Sequence, residues 1–109
     1  MTVERQNSFG DLEQVKAEHR ALALLRTLEK SPGYRLNSSI LLDWLRTIAL
    51  VATRDELTET VSALERLRLI KTEAVDDLTV LELLELGQDV AQGCTVVEGV
   101  LRPGPGCPY

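Results

Sequence analysis

The stretch TRDELTETVSALERLRLIKTEAVDDLTVLELLELG, Thr53 to Gly87, leaves few folds open to this chain. Thr53-Arg54-Asp55-Glu56 has the capping-box pattern, in which the threonine hydroxyl and the glutamate carboxylate each satisfy the other's exposed backbone N–H. Leu57, Val61, Leu64 and Leu67 then recur at helical spacing, so a helix starts at this cap and buries one stripe. Ile70 to Val75 follows as a β-type run, Asp76-Asp77 as a tight turn and Leu78 to Leu83 as the return strand. The return run also suits a helix, but its partner run and the Asp-Asp turn favour a hairpin. Glu85 to Gln92 reads as a short helix ended by Gly93.

Two helices precede this unit. From Asp11 to Ser31 the text is helical, with Val15, Leu22, Leu25 and Leu28 on one side, until Pro32 and Gly33 stop it. Asn37 or Ser38 caps the next helix, SSILLDWLRTIA, whose Leu41, Trp44, Leu45 and Ile48 share a face. Trp44 is expected in the core on that pattern. The expected fold is mainly α with a small β-hairpin. It is a winged helix-turn-helix of three helices, a two-stranded wing and a short C-terminal helix. Residues 1–10 read as a flexible N-terminus, 11–93 as the winged-helix domain and 94–109 as an extended Gly/Pro-rich tail.

A chain of 109 residues suits one domain with its own core. No apolar run reaches the roughly 20 residues a bilayer demands, and MTVERQNSFG lacks the apolar stretch of a signal peptide. A cytoplasmic location is therefore expected. In that setting Cys94 and Cys107 are not expected to form a disulfide. One histidine and two scattered cysteines give no zinc pattern, so neither metal nor other cofactor is expected. No serine or threonine has a paired base and no Gly-rich phosphate loop occurs, so the chain does not read as an enzyme.

Charge is unevenly spread along the chain. Residues 1–54 carry eight basic and six acidic groups, whereas residues 55–109 carry four basic and eleven acidic. An acidic protein gains no general attraction to a phosphate backbone, so any nucleic-acid contact must come from a local patch.

Several strings resemble a known family. AEHRALALLRTLEKSPGYRLNSSILLDWL, TRDELTETVSALERLRLIK, LELGQDVAQG and VEGVLRPGPG are similar to small proteins of Mu-like phages and prophages, of the ArsR-like winged-helix regulator type. The resemblance runs from about Leu12 to Gly106 and rests on structural motifs, none of them catalytic. It implies a winged-helix fold and a cofactor-free transcriptional regulator in a bacterial host. Metal sensing is not implied, because no Cys-x-Cys or Cys/His cluster lies on any helix.

On this reading double-stranded DNA is the first expected partner. In the helix that would enter the groove, Arg54 and Arg66 are candidate phosphate contacts, and Thr58 and Ser62 candidate base-edge contacts. The same helix presents Asp55 and Glu59, which repel phosphate, and the wing tip presents Asp76 and Asp77. These acids define the alternative: a winged-helix interaction module that does not bind DNA and docks a phage or host protein. On the first helix Lys16, His19, Arg20, Arg26 and Lys30 fall on one basic stripe, either a solvated face or a docking surface. A homodimer built from the first helix and the tail, through Val96, Val97, Val100 and Leu101, is also expected.

Overall fold

The computed structural model describes residues 2–109. Helix α1 (Thr2–Glu29) is its longest element and its C-terminal half is the centre of the core. Residues 20–25, RALALL, are buried on every side, because Ala21 and Ala23 let neighbouring backbone approach where leucine would hold it off. The helix also covers positions 2–10, ahead of the segment that periodicity gives to it. It ends where Ser31 and Pro32 turn the chain through one 3-10 turn, with Gly33 in the left-handed region at φ 66°.

Strand β1 (Arg35–Asn37) leads into helix α2 (Ser38–Thr47), and the Asn37 side chain caps that helix by accepting from the Ile40 N–H at 2.9 Å. Helix α3 (Arg54–Arg66) begins at the expected capping box, with Thr53 Oγ1 and Glu56 Oε1 exchanging bonds of 3.0 and 2.9 Å. Strands β2 (Ile70–Val75) and β3 (Leu78–Leu83) form the hairpin, and helix α4 (Glu85–Ala91) follows.

The sheet is antiparallel in the order β1-β3-β2, so three strands stand where the sequence pattern gives a two-stranded wing. Three residues are too few to show alternation, and β1 owes its strand character to pairing with distant β3 (Leu36 opposite Leu81). One sheet face carries a charge ladder, in which Arg35 reaches Glu73 and Glu82 at 3.5 and 3.6 Å and Lys71 reaches Glu82 at 3.8 Å. The other face sends Leu81, Leu83 and Ile70 into the core against Leu22, Leu25, Leu41 and Leu45. Asp76 takes the left-handed conformation at φ 54° in the two-residue turn, a geometry that aspartate tolerates better than most side chains.

Two expectations about side chains fail. Trp44 is 43% exposed, because it stands at the edge of the α2 face whose centre is Leu41 and Leu45. The tail is not free: Val100 is buried, Val97 and Leu101 pack on the core, and the Leu101 N–H donates to the Glu18 carbonyl at 3.2 Å. Gly87, in the first turn of α4, sits where that helix meets the chain at Leu69. A methyl group there would collide with the Leu69 carbonyl oxygen, which already accepts from the Leu84 N–H.

Candidate functional site

Helix α3 separates two grooves, and its sequence divides between them. On the hairpin side a groove of about 380 Å³ is lined by Arg54, Thr58 and Ser62 of α3, Ser38 of α2, and Thr72 and Thr79 of the strands. Three of the four proposed DNA contacts thus share one surface, joined by hydroxyls from three other elements. The fourth, Arg66, is exposed but does not line this groove. At 100° per residue it lies well round the helix from Arg54 and Thr58.

The groove is held open by a clasp. Glu65 Oε2 accepts from the Thr72 N–H at 3.2 Å and from its hydroxyl at 2.9 Å. Thr72 lies on β2, the edge strand, so this carboxylate covers a backbone donor that the sheet leaves open. Glu65, though exposed, is therefore engaged by Thr72, whereas Asp77 at the wing end is exposed at the groove. Thr58 donates its hydroxyl to the Arg54 carbonyl at 2.8 Å, leaving oxygen lone pairs outward.

On the opposite side of α3 a cleft of about 210 Å³ lies against α1 and residues 98–100. Glu56, Glu59 and Glu98 rim it, and Arg20 stands in its wall. Glu59, which sequence reasoning set on the face a DNA groove would meet, thus borders the other groove. Asp55 lines neither and is exposed. The Glu56 carboxyl is held below its ordinary range chiefly by the Thr53 backbone hydrogen bond, with burial opposing and the Arg20 charge assisting.

The basic stripe of α1 does not present itself as one surface. Arg20 is only 5% exposed, and Arg26 donates through Nε to the Tyr109 main-chain oxygen at 2.9 Å and through Nη1 to the Ala91 carbonyl at 3.0 Å. Lys30 also reaches the Tyr109 main-chain oxygen at 3.2 Å, and His19 Nδ1 is hydrogen-bonded to the Tyr109 hydroxyl at 2.7 Å. Lys16 pairs with Glu13 at 3.4 Å. His19, Arg26 and Lys30 of the stripe thus hold this chain's own tail, a contact invisible to helical periodicity because the tail arrives from far along the chain. Cys94 and Cys107 are free thiols, and no helix among the described residues is long and apolar enough to cross a membrane.

No protein-family model matches the chain. No solved structure matches it either. Uncharacterized protein gp26 of Escherichia phage Mu is 33% identical to it over 94 residues, which make up 86% of this chain and 97% of that protein. By that extent of shared sequence, this chain belongs to the phage protein family of Mu gp26.

Proposed function

We propose that this protein is a winged helix-turn-helix DNA-binding regulator of a phage, working without cofactor as a homodimer in the host cytoplasm. Helices α2 and α3 form the helix-turn-helix and the β2–β3 hairpin the wing. The observation that carries the reading is the groove where Arg54, Thr58 and Ser62 meet Thr72 and Thr79 of the wing. Hydroxyls and an arginine without an ion pair among the described residues are the groups that hold phosphate oxygens. With few cations and exposed Asp55, Asp76 and Asp77 nearby, binding is weak, and with few phosphate contacts its salt dependence is shallow.

Duplex fragments covering the phage genome, titrated at low salt, test this. Binding is expected, and Arg54→Ala should reduce the slope of log K against log salt by about 0.9, the share of one phosphate contact. Arg66→Ala should change it less, since that residue stands outside the groove. Failure to bind any fragment at low salt removes the DNA reading. The second reading, a winged-helix protein-docking module that does not bind DNA, is favoured by the same exposed acids and would then stand alone.

A further inference from the structure

The cleft between α1 and α3 has a composition that folding alone does not account for. Its floor is aliphatic, from Ala17, Ala21, Ala63 and Val100. Arg20 lies in its wall, 5% exposed, and its Nε has no hydrogen-bond partner among the described residues. A buried donor left unsatisfied costs of order 1–3 kcal/mol, more for a charged group. The cleft continues along α1 past Gln14 and Glu13. Along its whole length four carboxylates, Glu13, Glu56, Glu59 and Glu98, face the single guanidinium of Arg20.

These features set strict terms for an occupant. It must offer Arg20 an acceptor, yet a further carboxylate or phosphate would meet four negative groups. A main-chain carbonyl meets both conditions. It must also lay apolar surface on the alanine floor and carry positive charge to the rim. Glu56 is committed to the Thr53 cap and Glu13 to Lys16, so Glu59 and Glu98 are the carboxylates open to it. We infer that this cleft docks a segment of a partner protein bearing a lysine or arginine beside aliphatic residues. The stem of the basic residue lies on the alanine floor and its head between Glu59 and Glu98, while a main-chain carbonyl accepts from the Arg20 guanidinium in the cleft wall. The site lies across α3 from the hydroxyl groove and stands or falls independently of DNA binding.

A short blocked leucine–lysine peptide is the probe, titrated into the full chain while the methyl resonances of Ala17, Ala21, Ala63 and Val100 are followed. Those methyls are expected to shift together, and Glu59→Gln with Glu98→Gln should weaken binding about tenfold as two rim charges are lost. Asp76→Asn with Asp77→Asn removes the same charge elsewhere and should leave the affinity within about twofold. Arg20→Met should weaken the peptide as well, with the melting curve reporting that the chain still folds. Equal weakening by both acid pairs would mean general charge attraction and overturn the inference, as would shifts outside the cleft or no binding. Cleft shifts that grow with protein concentration in the absence of peptide would also overturn it, giving the cleft to a second copy.

Discussion

Glu56 holds the start of α3 through Oε1, which accepts from the Thr53 N–H at 2.9 Å, and it does so beside the buried Arg20 guanidinium. Both favour the charged carboxylate, and the backbone bond is the larger cause; partial burial opposes them without reversing the result. A carboxyl whose folded pKa lies below its ordinary value of 4.5 adds stability above that value. The contribution then fades as pH falls through the lower folded value. Glu56→Gln keeps a side-chain acceptor for the cap and removes only the charge. Melting curves of the two proteins should therefore separate above pH 4.5 and draw together below it. Curves that stay parallel into the acid range would show that the charge does not matter here. Thr53→Ala, which removes the other half of the box, should cost about 1 kcal/mol at neutral pH.

Helices α2 and α3 end alike, and neither uses glycine. Ala49 and Arg68 take left-handed φ values of 60° and 63°, and the next N–H in each case reaches back five residues, Leu50 to the Leu45 carbonyl at 2.8 Å and Leu69 to Leu64 at 3.0 Å. These are Schellman closures, completed by the Ala49 and Arg68 N–H groups donating to Arg46 and Glu65. All four of those leucines are buried, so packing holds a backbone that alanine and arginine resist at roughly 1–2 kcal/mol each. Ala49→Gly should consequently raise the urea midpoint, by a gain of about 0.5–1 kcal/mol with unchanged slope. A lower midpoint would mean that the alanine methyl contributes more than its strain costs.

The same elements show what was legible in the sequence. The α3 cap, the hairpin and α4 could be read because capping chemistry and turn residues are local. Strand β1 could not, since its three residues become a strand only beside β3. The hydroxyl groove was half legible: Arg54, Thr58 and Ser62 are among the candidate DNA contacts on the third helix, but Thr72 and Thr79 come from strands that only the fold sets beside them. Arg20 was read as surface because its stripe looks polar on a helical wheel. Only the approach of α3 and residues 98–100 turns that side inward.

At the scale of the whole molecule, α1 is out of proportion to the core it serves. It has 28 residues, about 42 Å of helix, and the longest dimension of the protein is 49 Å. From Gly10 onward the first buried side chain is Arg20, and residues 10–15 are all exposed, so this stretch of the helix runs ahead of the core. A helix of that length without tertiary packing is marginal in water, yet this one exposes Leu12 by 52% and Val15 by 47%. The tail cannot cover them, because its Val97, Val100 and Leu101 are spent on the core and only Val96 stands clear. The dimer surface expected from the first helix and the tail together thus contracts to α1 alone. We propose that two copies pair their α1 extensions antiparallel, Leu12 and Val15 of each against the other, an isologous contact that closes on itself. At 100° per residue these two side chains lie on the opposite side of α1 from Gln14 and Ala17, so pairing leaves the acidic cleft open. Sedimentation equilibrium should show a dimer, and Leu12→Glu with Val15→Glu should yield a monomer with less helical circular dichroism but a folded core. A wild-type monomer at high micromolar concentration would overturn the pairing, and α1 would then have to hold its extension by helix propensity alone.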